Sequence, residues 1–187
     1  METIERRAFM QGAAVGTLAF TVGGVEVLLL PSEARAQKVP LKVLTADEAH
    51  RLEAVSEALV PGAREAGIAH FVDQQCSVPP HEALLDIRIG NVRPPFVNFF
   101  RAALTEIDRQ CDATHGKPFA ALTPDEQRDF IALMRVGKHP DWKGPPPQQA
   151  IYGNFRADAV DVVYGTVHGF ERLGVPYMPL VPPKAGW

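Results

Sequence analysis

"LTADEAHRLEAVSEALVPG", residues 44–62, decides the fold class. Thr45 and Glu48 stand at the spacing of a capping box, and Ala49, Leu52, Val55, Ala58 and Leu59 recur every three or four positions, so the stretch reads as an amphipathic helix. Pro61-Gly62 ends it. The same grammar recurs downstream. A second helix is expected over "REAGIAHFVDQQC" (64–76), with Gly67 as its weak point, and a third over "PHEALLDIRIG" (80–90). A longer fourth, "FVNFFRAALTEIDRQCDATHG" (96–116), puts Val97, Phe100, Ala103, Leu104 and Ile107 on one stripe and stops at Gly116. The fifth has the clearest start: Thr123 caps, Pro124 takes the first helical position and Glu126 closes the box. The sixth is read over "ADAVDVVYGTVHGFERLG" (157–174), where the Gly165 and Gly169 pair admits close approach by an internal helix or by a partner.

No run of alternating apolar and polar residues is long enough to argue for a sheet. The expectation is therefore an all-α single domain of about six helices, with proline-rich connectors and an extended C-terminal tail. The prolines number 17 and fall in runs at 79–80, 94–95, 145–147 and 182–183. Each run imposes extended backbone between helices. The tail "VPYMPLVPPKAGW" (175–187) is too often interrupted by proline to be helical.

At 187 residues, 22% charged and 46% hydrophobic, the chain has the length and balance of one globular domain. A net charge of −3 gives no basic footprint for nucleic acid, which is excluded as a partner.

Residues 1–36 have the layout of an export signal: Arg6-Arg7, an apolar run from Ala13 to Leu30, and a small-x-small site at Ala34-Arg35-Ala36. Cleavage after Ala36 would leave a helical domain of residues 37–187 in the periplasm. Arg6-Arg7 followed by Phe9 resembles a twin-arginine signal, read by machinery that moves folded proteins. Glu5 and Gln11 depart from that pattern, which keeps the general secretory route open. A membrane anchor fits less well, since Glu26 interrupts a run already short of the about 20 apolar residues a span needs.

The chain carries no G-x-G-x-x-G after a strand, no phosphate-binding loop, no H-E-x-x-H and no C-x-x-C-H. Neither catalytic, cofactor nor metal residues can be assigned. His50, Glu53 and Glu57 share one helix face, but the matching Glu-x-x-His pairs of a di-metal bundle are missing, so they read as a solvated charged face. The other five histidines are scattered singly. Cys76 and Cys111 leave three readings: a disulfide with each other, a bridge to another subunit, or free thiols. Trp142, Tyr152, Phe155, Tyr177, Met178 and Trp187 are candidate partner contacts, because aromatics among prolines would otherwise leave apolar surface in water.

Three stretches together resemble the gluconate 2-dehydrogenase subunit 3 family. They are "LTADEAHRLEAVSEALVPGAREAGIAHFVDQQ"; "FFRAALTEIDRQC" with "FAALTPDEQRDFIALM"; and "YGNFRADAVDVVYGTVHGFERLGVPY" with the terminal "PPKAGW". The resemblance covers nearly all of the chain after residue 36. It implies a non-catalytic small subunit without a cofactor of its own, bound to a large subunit of the glucose-methanol-choline type that carries FAD and oxidises a sugar or sugar acid. It further implies electron transfer to a c-type cytochrome bearing haem, and export with the large subunit attached to this chain's signal. A free-standing periplasmic enzyme or metal binder, using His and carboxylate groups gathered by the fold, is the competing expectation.

Overall fold

The computed structural model describes residues 16–90 and 92–175. Within them a two-stranded antiparallel hairpin, β1 (Leu18–Val22) and β2 (Val25–Leu29), precedes seven helices: α1 (Pro31–Ala36), α2 (Ala46–Leu59), α3 (Ile68–Ser77), α4 (Val97–His115), α5 (Pro124–Val136), α6 (Gln148–Tyr164) and α7 (Val167–Arg172). Short 3-10 turns lie at Asp86–Arg88 and Phe119–Ala121. The fold is all-α apart from the hairpin.

The strongest sequence signals are where the structure follows them most closely. α2 begins with Thr45 and Glu48 capping each other's backbone, and α5 begins with Thr123, Pro124 and Glu126 doing the same. α4 runs 19 residues and stops at Gly116, as its pattern predicts.

Three elements differ from expectation. The second helix starts only at Ile68, because Gly67 takes a left-handed φ of +85° as the N-cap of α3. Between residues 80 and 90 only the 3-10 turn forms: the Leu84 N–H is held by Gln75 Oε1 at 2.6 Å and the Asp86 N–H by Asp158 Oδ1 at 2.9 Å. With two donors satisfied by other elements, the segment has little to gain from a helical turn of its own. The last helix is in fact two, since α6 starts nine residues early, after Pro147, and breaks at Gly165-Thr166. Thr166 then caps α7 through the Gly169 N–H at 3.0 Å. A methyl group on Gly169 would collide with the Tyr164 backbone, so the small residues serve this internal bend.

One core runs through the helices. α6 packs against α2, α3, α5 and α7. Phe100 of α4 stacks on Phe155 of α6 with centroids 5.4 Å apart and meets Phe99 edge-on at 5.7 Å. A second, smaller cluster of Phe20, Ala34 and Val39 lies under the hairpin and α1. The hairpin departs from the all-α expectation: residues 18–29, which read as part of an export run, form strands in register from Leu18↔Leu29 to Val22↔Val25 about a Gly23-Gly24 turn.

Candidate interaction surface and its buried supports

Polar side chains inside the domain hold its loops. Asp73 on α3 is buried, and its carboxylate accepts the N–H groups of Lys42, Val43 and Leu44, each at 2.8 Å, which pins the bend leading into α2. Glu57, at the end of α2, accepts from Gly62 and Arg64 and so closes the turn into α3. Glu53 faces Arg35 at 3.4 Å and Arg64 at 3.7 Å. Glu53 and Glu57 are therefore not a solvated face, as expected from spacing; they are half-buried ties, and only His50 of that trio is exposed.

Glu106 fixes the proline-rich connector. Hydrogen bonds from Arg109 hold its carboxyl below the usual carboxylate range, despite opposing burial, and the Lys143 N–H donates to it at 2.6 Å. Arg109 reaches on to the Asp141 carbonyl at 2.7 Å. His139 is buried in the same connector, exchanges bonds with Gln148 and places Nε2 2.8 Å from the Phe130 carbonyl. Burial lowers its pKa, partly offset by that carbonyl.

Among the candidate contacts, Trp142 is half-buried, with Nε1 donating to the Pro146 carbonyl at 3.0 Å. Tyr152 is also half-buried and packs against the main core. Phe155 is 1% exposed and belongs to the core, so its place among the contact residues is corrected: its ring already has partners within this chain. Arg6, Arg7, Phe9, Tyr177, Met178 and Trp187 lie outside the described residues. Of the export-site alanines, Ala34 is fully buried in α1 and Ala36 is exposed at its end. Sequence reasoning missed the large apolar side chains most open to a partner: among the described residues Ile89 is 84% exposed, Val25 on β2 65% and Leu84 60%. Along 83–89 the chain buries Ala83, Leu85 and Ile87 and leaves Leu84 and Ile89 outside.

Cys76 and Cys111 are both free thiols. Burial pushes each up to about 12, with Asp73 and Asp158 adding at Cys76 and Asp108 at Cys111. Thiolate attack at neutral pH is correspondingly suppressed. Alkylation of the native protein at pH 8 should leave both cysteines unmodified over a time that fully labels them in denaturant; absence of label in denaturant as well would mean they are oxidised.

Asp158 is a buried carboxyl satisfied on one side only. Its Oδ2 is buried without a hydrogen-bond partner while Oδ1 accepts from Asp86, and burial raises its pKa to about 7, with Asp86 and Asp161 adding. Between about pH 4 and 7 the folded chain thus keeps a proton the unfolded chain has lost. Its contribution to stability is full at low pH and falls as pH rises through that window. Burial shifts Asp161 the same way, and His139 works in the opposite sense below 6.5. The difference between Asp158→Asn and the parent isolates the group: the variant's Tm advantage should grow by about 3 °C or more from pH 5 to pH 8, measured by thermal melts.

Among the described residues, no group of three or more His, Cys, Asp or Glu could hold a metal ion, and no helix is long and apolar enough to cross a membrane. The fold and surface define a small helical domain with a filled core, internally tied polar groups and apolar side chains left uncovered. The chain belongs to the gluconate 2-dehydrogenase subunit 3 family, whose model matches residues 46–182. It is thus of the accessory-subunit type within a multi-subunit dehydrogenase, a setting with partner subunits. No curated protein and no solved structure matches the chain.

Proposed function

We propose that this chain is the non-catalytic small subunit of a periplasmic, FAD-dependent sugar or sugar-acid dehydrogenase. It binds and stabilises a large subunit of the glucose-methanol-choline type, which holds the flavin, and escorts it through twin-arginine export. Electrons pass from that subunit to a c-type cytochrome bearing haem. The observation that carries the reading is family membership across residues 46–182. It is supported by the use of Asp73, Glu57, Glu106 and His139 in holding this chain's own backbone. Arg6-Arg7 supplies the export element.

Recovery of the protein from the periplasm of its host should bring down a larger chain with flavin absorbance bands; a lone, colourless monomer would sink the reading. Changing Arg6-Arg7 to Lys-Lys should leave both chains in the cytoplasm. For the docking face, Ile89 is the clean probe, because a side chain 84% exposed contributes little to folding. Ile89→Asp should weaken capture of the large chain by about tenfold or more at unchanged Tm, as measured by titrating the purified chains.

A further inference from the structure

The stretch that reads as the end of an export leader is built into the domain. Phe20, Ala34 and Val39 are 4%, 0% and 6% exposed and form one apolar cluster, with Leu18, Val22 and Leu29 packed around it. α1 and β1 both rest on α3. Polar contacts reinforce this: Gln74 Nε2 donates to the Ala19 carbonyl at 3.4 Å, His70 Nε2 lies 3.1 Å from the Val39 carbonyl, and Arg35 Nε is 3.4 Å from Glu53 Oε1. The fit is closest at Gly67. A methyl group there would collide with the Pro31 carbonyl, so the N-terminus of α3 is shaped to receive α1.

A leader peptidase reads small side chains one and three positions before the bond it cuts. Ala36 is exposed, but the Ala34 side chain is wholly buried. The backbone around the Ala36–Gln37 bond is also engaged: the Gln37 N–H donates to the Glu33 carbonyl at 2.9 Å, Lys38 to Arg35 at 3.0 Å and Val39 to Ala34 at 2.9 Å. Cleavage would require α1 to unwind and the small cluster to open. A chain exported already folded would not present that site, since proteolysis favours exposed, weakly bonded segments.

We propose that Ala34-Arg35-Ala36 is not a processing site, and that residues 18–36 remain in the mature protein as a hairpin-and-helix clasp on α3. Any leader is confined to the chain before Leu18. The clasp does not depend on the identity of the partner.

The full chain, carrying a C-terminal affinity tag, is expressed in its own host, recovered from the periplasm and sequenced from its N-terminus. A terminus at or before Leu18 is expected; one at Gln37, or anywhere from Ala19 onward, overturns the proposal. In the same preparation Phe20→Ala should lower Tm by about 5 °C or more, because the ring then leaves a hole in a structure that is still present. An unchanged Tm overturns the clasp as well. Recovery only from the cytoplasm would count against export, and the Phe20→Ala melt then decides the clasp alone.

Discussion

Asp73→Ala should destabilise the isolated protein by about 3–5 kcal/mol, read as a lower midpoint in denaturant at unchanged slope. One carboxylate takes three consecutive backbone N–H groups, and the donor from Leu44 is buried with it. Alanine removes the acceptor and leaves the donors in place, so the cost includes the desolvation of groups that water reaches poorly. Asp73→Asn distinguishes hydrogen bonding from volume. Its amide keeps the size but offers one oxygen, and its NH2 group would oppose a donor, so it should recover only a minor part of the loss. If the asparagine variant were as stable as the parent, the three bonds would not be what holds residues 42–44.

Phe155→Ala is expected to cost about 3–5 kcal/mol, in the range for deleting a fully buried aromatic ring. The ring stacks on Phe100 and lies 6.3 Å from Phe99, so its removal opens a cavity between α4 and α6. Binding to a large subunit should change only in proportion to the folded fraction, since the ring has no exposed face to offer. Chemical denaturation and binding titrations on the same preparation separate the two effects. Weakened binding at parental stability would restore Phe155 to the interface.

Helix starts written as local chemistry were legible in the sequence: Thr45 with Glu48, and Thr123 with Pro124 and Glu126, specify their caps within four residues. What depended on distant residues was not. The 80–90 segment has a helical pattern, but donors at Leu84 and Asp86 are taken by Gln75 and by Asp158, which is 72 positions away from Asp86. Phe155 stands among polar and aromatic neighbours, and only the packing of α6 on α4 makes it core. The hairpin did carry a local signal. Gly23-Gly24 between Val22 and Val25 is the composition of a two-residue turn, with φ of +58° and +84° in the structure, but an apolar run behind paired arginines reads more readily as a leader. The candidate contacts drawn from the sequence are mainly aromatics, whereas the large apolar side chains left exposed among the described residues are aliphatic, with Ile89, Val25 and Leu84 the most open.

The position of α6 sets the order in which the protein can be made. It touches α2, α3, α5 and α7, and its Asp158 ties down the turn at Asp86, yet it leaves the ribosome after α2, α3 and α5. Until then α2 and α3 have synthesised neighbours but lack the helix that covers them. The nascent chain therefore carries those apolar faces open until α6 is made, and closure comes as a long-range event. Such a chain stays open to chaperones in the interval, and it becomes a rigid object only once α6 has packed.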